Sequence, residues 1–410
     1  MVGNPSEMPA DREIEPAKLP DRLAALPGVA ELRSAAAGAP VYLVGGAVRD
    51  MLLGAERADL DVVVEGDIKP LAKALGGELV EHERFSTAKV GLEGLEIDIA
   101  RARAEDYQQP GALPRVRPAT IEEDLNRRDF TINAMALAVD GESALLDSQG
   151  GVEDLRAGVL RVLHEGSFVD DPTRALRAAR YAARLGLALD PETERLLGQA
   201  DLTAVSSDRV VSELGRIAEE EEPSRALALV AEWGLLDLGP GPRLAAAIER
   251  LYATHAGWGE FADRDTAILL AVAPGDHPAR LRARAAKVAR HQQPDSPAQI
   301  QVLAHDHVPE VLVMARAAGA AWLDEYVDRL RHVELEIDGY DLIAAGAPEG
   351  PAVGVGLNAA LAAKLDGSIS TRDEELQVAL EASKQDAESQ NPAGWRRNPP
   401  PPDAKRRRRR

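Results

Sequence analysis

The chain has no cysteine. Disulfides, thiolate zinc sites and cysteine nucleophiles are therefore excluded, which suits a reducing compartment. Aromatic residues make up only 3% of the 410 residues, too few for a platform of stacked rings to be the main way of holding bases. No uninterrupted apolar run approaches membrane-spanning length. The opening stretch MVGNPSEMPADREIEPAKLP lacks a basic segment followed by an apolar one, so no signal peptide is expected. These absences predict a soluble, cytoplasmic protein without a membrane partner. Basic residues are also in the minority, 48 against 68 acidic, for a net charge of −20. That balance argues against a surface coated for non-specific nucleic-acid binding. It leaves room for a local basic groove, because arginines gather in RVRP, NRRDF and TRALRAARYAARLG, and the chain ends in KRRRRR.

A composition 45% hydrophobic and 28% charged fits a globular protein of two to four modules. Residues 25–163 alternate short β-rich runs with helical stretches. VYLVGG (41–46), LDVVVEG (60–66), AKVGL and LEIDIA (95–100) read as strands. IKPLAKALGG (68–77) reads as a helix ending at Gly76–Gly77. Beyond about residue 164, helical periodicity rich in Ala, Leu, Arg and Glu dominates almost to residue 385. The fold class predicted is α+β, a mixed head followed by an all-helical remainder. Residues 1–24 read as a flexible arm and residues 386–410 as a disordered, Pro-rich basic tail.

The head carries an unusual stretch, LVGGAVRDMLLGAERADLDVVVEG (43–66). Residues i and i+2 of a strand share a face, so Asp59 and Asp61 can serve one site. Asp98, on a neighbouring strand, offers a third carboxylate. Oxygen donors without His or Cys favour a hard cation, Mg²⁺ or alternatively Mn²⁺. Gly45 and Gly46 follow a strand and precede a helix, a place where backbone N–H groups can approach phosphate oxygens. Arg49 can then contact a triphosphate. Neither the P-loop nor the dinucleotide-binding glycine pattern is present.

A second concentration of chemistry lies in FVDDPTRALRAARYAARLG (168–186). Asp171–Pro172 reads as an N-cap followed by proline at the first helical position. Arg174, Arg177 and Arg180 recur every third residue and form a slanting stripe. Asp171 and Arg174 can present an acceptor and donors side by side, a pairing suited to C and A, which carry an amine beside a ring acceptor. Residues 101–121, RARAEDYQQPGALPRVRPATI, read as a flexible loop. AHDHV (304–308) pairs His with Asp as metal phosphohydrolases do, but without the further His and Asp residues such sites need. It reads as surface helix.

Three segments together resemble the class II nucleotidyltransferases, the tRNA CCA-adding enzymes and bacterial poly(A) polymerases: LVGGAVRDMLLG…ADLDVVVEG, EEDLNRRDFTINAMAL (122–137) and FVDDPTRALRAARYAARLGLALDPET (168–193). They lie in the family's order, and weaker likeness continues through ELEIDGYDLIAAGAPEGPAVGVGL (334–357). The resemblance implies a catalytic head at 25–163 with a small mixed sheet carrying the carboxylates. It implies a helical neck at 164–230 that recognises the base, a helical body at 231–333 and a helical tail at 334–385 that contacts tRNA. It places Gly45, Gly46 and Arg49 on the triphosphate and metals on Asp59 and Asp61. Asp98 is a possible helper. Arg128 and Asp129 fall at the sugar and phosphate end, with Asn133 adding a contact. Asp171 and Arg174 become a protein template for CTP or ATP, and Arg177 and Arg180 complete the pocket.

One position departs from the family, which often has Glu where Asp170 stands. SSDRVVSEL (206–214) resembles a supporting helix whose Asp208, Arg209 and Glu213 form salt bridges. The implied reaction adds C, C and A to the tRNA 3′ end from CTP and ATP, releasing pyrophosphate. CC-only, A-only and poly(A) addition share these motifs, and a non-catalytic RNA-binding relative is the distant alternative. Oligomeric state is not legible in the sequence.

Overall fold

The computed structural model describes residues 14–55, 60–76, 87–92, 95–140 and 144–390. Asp59 and the KRRRRR terminus lie outside the described residues. Two compact units emerge, one holding the residues up to 249 with 268–278, the other 250–267 and the residues from 279 onward.

A six-stranded mixed sheet organises the first unit. Its strands are β1 (Val41–Val44), β2 (Leu60–Val64), β3 (Thr87–Leu92), β4 (Leu95–Arg101), and, after the separate hairpin β5 (Arg103–Asp106) and β6 (Arg115–Pro118), β7 (Ala136–Ala138) and β8 (Leu145–Leu146). Their order is β3-β4-β2-β1-β7-β8, with β2 and β4 parallel and the other neighbours antiparallel. Strand alternation divides the sheet's chemistry between its faces. Leu60, Val62, Val64, Ile97, Ile99 and Val90 join a core with residues of the Val29–Ala36, Gly46–Leu52 and Lys69–Ala74 helices. On the other face, Asp61, Asp98 and Lys89 stand in one row across three strands, because the register pairs Asp61 with Asp98 and Asp98 with Lys89. All three are exposed.

Between β6 and β7 lies the helix Ile121–Asn126, opened by a capping box between Thr120 and Glu123; after β8 come the helices Gly151–Ala157, Ser167–Asp170, Arg174–Leu185, Pro191–Leu197, Ser207–Ala218 and Pro223–Glu232. A two-residue parallel pair, β9 (Val159–Leu160) with β10 (Ala188–Leu189), interrupts the helical run.

Four expectations need correction. Residues 14–24 are not a loose arm: Pro16–Lys18 and Leu19–Ala25 are helical, and Ile14, Leu19 and Leu23 are buried in the core. Apolar spacing there outweighs the local density of proline and charge. Residues 101–121 are not simply a loop, since β5 and β6 pair from Arg103↔Pro118 to Asp106↔Arg115. The last helix, Arg372–Gln390, runs past residue 385 into the stretch read as disordered. Asp171 is not an N-cap. The helix begins at Arg174 after Thr173, and Asp171 instead closes a turn, its Oδ1 accepting from the Thr173 N–H at 3.0 Å.

The second unit is helical. Trp258 is fully buried and donates Nε1–H to Asp324 at 2.9 Å. Phe261 packs edge-on against both Trp258 and Tyr326. The Pro351–Leu365 and Arg372–Gln390 helices cross where Gly356 lies against Ser383 and the Ala379 carbonyl, so closely that a Cβ would not fit.

Candidate active site

Gly45 ends β1 with φ +62, a conformation that costs glycine little and other residues much. Its N–H donates to the Met135 carbonyl at 3.0 Å, and a Cβ there would sit 2.6 Å from Arg128 Nη1. Glycine therefore lets the turn and the RRD segment touch. Gly46 starts the Gly46–Leu52 helix. One turn on, the buried Arg49 donates Nη1–H to Asn133 Oδ1 at 2.6 Å and Nε–H to Asp50 at 2.8 Å.

The RRD segment is held from behind by Asp124, which is fully buried. Asp124 accepts from Arg127 at 2.8 Å, from Arg128 at 3.0 Å and from the Arg103 N–H at 3.1 Å. Burial opposes its charge, yet the two arginines hold its carboxyl below the usual range. Asp129 accepts from the Phe130 N–H at 2.9 Å, from Asn133 Nδ2–H at 3.0 Å and faces Arg177 Nη1 at 3.2 Å. Burial again raises its pKa, and Arg177 and the Asn133 amide more than reverse this. RRD is accordingly a buried network, not a surface charge cluster.

On the helical side Arg174 is also buried, donating to Ser167 Oγ at 3.2 Å and to the Arg127 carbonyl at 2.8 Å. Asp171 is densely partnered. It accepts from Thr173, from Arg177 at 3.0 Å and from Arg209 at 2.8 Å. Burial would raise its pKa, but Arg177 and these hydrogen bonds hold it low. Burial likewise opposes the charge on Arg177, and Asp129 and Asp171 outweigh it, raising its pKa. Arg180 donates to Glu220 at 3.2 Å and lies 4.6 Å from the Tyr181 ring centroid, with Arg49 at 5.3 Å from the same ring. Such contacts are favourable cation–π arrangements.

These groups line one cavity of about 560 Å³. It brings together Gly45, Gly46, Arg49, Asp61, Arg128, Asp129, Asn133, Asp171, Arg174, Arg177 and Arg180. Asp98 lines instead a neighbouring cavity of about 370 Å³, which shares Asp61, Arg103, Arg127 and Arg128 with the first. Lys89 bridges Asp98, at 3.1 Å, and Glu96. The larger cavity has eight arginines against five carboxylates in its lining. The Nε–H groups of Arg128, Arg174, Arg177 and Arg180 are shielded from solvent and have no hydrogen-bond partner among the described residues. The surplus positive charge suits a polyanion.

The sequence reading missed Arg103, Glu105, Tyr107, Arg127, Tyr181 and Arg184 in this lining. Tyr107 comes from the hairpin and donates to Glu105 at 2.9 Å; burial, reinforced by Glu105, pushes its phenol up to about 12. No local pattern marked it, because only the hairpin's docking carries it into the cavity. Tyr181 was adjacent to a predicted residue and detectable as the aromatic next to Arg180. Arg209 was expected to form salt bridges, and it does more than support a helix. Its guanidinium joins Asp171 to the Gly111 carbonyl, at 2.9 Å, in the connection between β5 and β6. Gly111 has φ +68, and a Cβ would meet the Ala204 carbonyl oxygen at 2.8 Å. Glu213 pairs with Arg216 at 3.0 Å.

Residues 41–161 match the model of the poly A polymerase head domain. The chain is 32% identical over 394 residues to the A-adding tRNA nucleotidyltransferase of Geobacter sulfurreducens, covering 83% of this chain and 45% of that one. It is 35% identical over 359 residues to the CC-adding tRNA nucleotidyltransferase of Deinococcus radiodurans, covering 84% and 89%. The solved Thermotoga maritima CCA-adding enzyme in complex with tRNA superimposes with a TM-score of 0.67 at 30% identity, covering 90% of this chain and 97% of that one. The chain spans less than half the length of the A-adding relatives it matches first, 45%, 46% and 25%. Enzymes of this kind generally use divalent metal ions. No helix among the described residues is long and apolar enough to cross a membrane. Matched along most of its length to relatives of both specificities, the chain belongs to the tRNA nucleotidyltransferase family that shares the poly A polymerase head domain.

Proposed function

We propose that this chain adds C, C and A in turn to the tRNA 3′ end, taking them from CTP and ATP without a nucleic-acid template. The observation that carries the reading is an arginine-rich cavity that joins the Gly45–Gly46–Arg49 turn to the Asp171–Arg174 pair. Arg49, with Arg128 and Arg177 in the same lining, binds and orients the triphosphate. Asp129 and Asn133 lie where ribose hydroxyls can be met. Asp171 and Arg174 offer acceptor and donors to the base edge, and Thr173, Arg177 and Arg209 hold that carboxylate in place.

Asp61 stands exposed at the cavity's edge with Asp98 beside it in register. This all-oxygen donor set fits Mg²⁺, with Mn²⁺ the alternative, and Asp59 is proposed as a further ligand. Such a cation, when bound, supplies charge neutralisation at the reacting phosphates. In the transfer, the RNA 3′-hydroxyl oxygen bonds to the α-phosphorus, the bond to the bridging α–β oxygen breaks, and pyrophosphate leaves. The chain's part is to hold both reactants in line and to exclude the wrong base.

A-only addition is the second reading, favoured by the A-adding relatives. The test offers the purified chain three RNAs with Mg²⁺: tRNA lacking CCA, tRNA ending in CC, and an unrelated oligomer. Each receives CTP, ATP or both. Completion of CCA on the first supports the proposal, and extension of only the CC-ended RNA by one A supports the second reading. Long A tracts on all three favour poly(A) addition, and no extension of any rejects nucleotide transfer.

A further inference from the structure

Beside the row of Asp61, Asp98 and Lys89 the sheet carries a further charged side chain. Glu96 stands two residues before Asp98 on β4, so the two carboxylates share a face. Lys89 lies directly across from Asp98, and Glu96 lies across from Gly91. A Cβ at Gly91 would meet nothing within 4 Å, so the space opposite Glu96 is open to the lysine stem. Lys89 uses that space. Its Nζ–H donates to Asp98 Oδ2 at 3.2 Å, Nζ lies 3.1 Å from Oδ1, and it also donates to Glu96 Oε1. The ammonium therefore sits across both oxygens of Asp98 while a second carboxylate holds it. Lys89 and Asp98 line the same cavity, and Glu96 lies outside that lining.

The arginines of this cavity are engaged behind the site: Arg103 pairs with Glu105, and Arg127 and Arg128 pair with Asp124. Lys89 turns instead to a carboxylate proposed above for a cation. Its side chain is 58% exposed and that of Asp98 50%. Exposed ion pairs are worth little, so this one can open without disturbing the fold. An ammonium is a compact charge on a flexible stem, able to move from one carboxylate to the other.

We propose that Lys89 is a positioning residue for the cation end of the site, a latch that competes with a divalent cation for the oxygens of Asp98. Glu96 takes the ammonium when Asp98 is released. The inference rests on the reading of Asp61 and Asp98 as cation ligands, and it adds what sets the affinity of that pair. Asp98 serves as a ligand only with oxygens that Lys89 gives up, so Lys89 raises the cation concentration the chain requires.

The test measures binding of Mn²⁺ alone to the full chain, by electron paramagnetic resonance of the free ion. Lys89→Met should bind Mn²⁺ about three- to tenfold more tightly than the parent chain. Lys89→Arg keeps a cation beside Asp98 and should stay within about twofold of the parent. Asp98→Asn removes the contested carboxylate, so adding Lys89→Met to it should change affinity by less than about twofold. Glu96→Gln should weaken Mn²⁺ binding more in the parent than in the Lys89→Met chain, because the displaced ammonium loses its second partner. Circular dichroism and thermal midpoint should match the parent throughout, since all three side chains are exposed.

Equal affinity of the parent and Lys89→Met chains would overturn the latch. So would an undiminished gain from Lys89→Met in the Asp98→Asn background, which would reduce Lys89 to a distant charge. Asp61→Ala separates this inference from the reading beneath it. If that variant loses Mn²⁺ binding while Lys89→Met changes nothing, the latch alone fails. If Asp61→Ala binds Mn²⁺ as the parent does, the cation reading of this face fails and the latch with it.

Discussion

Aspartates at the two ends of the cavity live in opposite conditions. Asp61, and Asp98 beside it in the neighbouring cavity, are exposed on the sheet, and Lys89 pairs with Asp98. Asp171 and Asp129 are buried, their oxygens occupied by arginines, amides and hydroxyls. The difference follows from the tasks proposed for them. A carboxylate that holds a cation while RNA ends come and go must stay reachable. One that distinguishes an amine from a carbonyl must be held in a fixed place, because selectivity depends on leaving the wrong group unpaired.

The largest effect separating the two ends should come from Asp61→Ala. Transfer should fall by at least about a thousandfold, measured as incorporation of labelled nucleotide, while thermal midpoint changes little because the side chain is exposed. Retained transfer would place the metal end elsewhere. Next in size, Arg174→Ala should lower discrimination between CTP and UTP by roughly 10- to 100-fold, measured as a ratio of kcat/KM values. A uniform loss for all four nucleotides would make Arg174 a general anchor instead.

Arg209→Gln tests whether the base end depends on its tether. It should relax base choice by about tenfold or less and speed hydrogen exchange at residues 107–113. Unaltered exchange there would separate Asp171 from the hairpin. The smallest effect concerns acid stability. The folded-state pKa of Asp129 lies below its ordinary value of about 3.9. Its ionised form therefore stabilises the fold above that pH, and the contribution is lost as pH falls through the folded value. Asp129→Asn should flatten this acid limb in denaturant titrations at graded pH. An equally steep limb would mean that other carboxylates govern it.

The head was legible because its chemistry sits in short contiguous patterns. Val41–Val44 and Leu60–Val64 are short, Val-rich apolar runs buried at nearly every position, and the glycine turn follows the first of them directly. The triplet spacing of Arg174, Arg177 and Arg180 likewise showed where charge accumulates. What stayed hidden depends on tertiary docking. Asp124 reads as one of several acids, and only the fold reveals it as the fully buried anchor of Arg127 and Arg128. The hairpin 103–118 resembled a loop because its turn carries Pro110, Gly111 and Pro114, while the pairing that makes it a hairpin lies in polar residues with little hydrophobic alternation. The start of the Arg174 helix was misplaced by two residues because Asp171–Pro172 imitates a cap, when Asp171 is needed in a turn facing the arginines.

The central claim is that one cavity separates choosing a nucleotide from transferring it. Calorimetric titration of the Asp61→Ala chain with CTP, ATP, UTP and GTP tests this directly. CTP and ATP should bind about tenfold or more tightly than UTP and GTP, and adding Arg174→Ala should erase the difference. Equal binding of all four nucleotides to the Asp61→Ala chain would contradict the account.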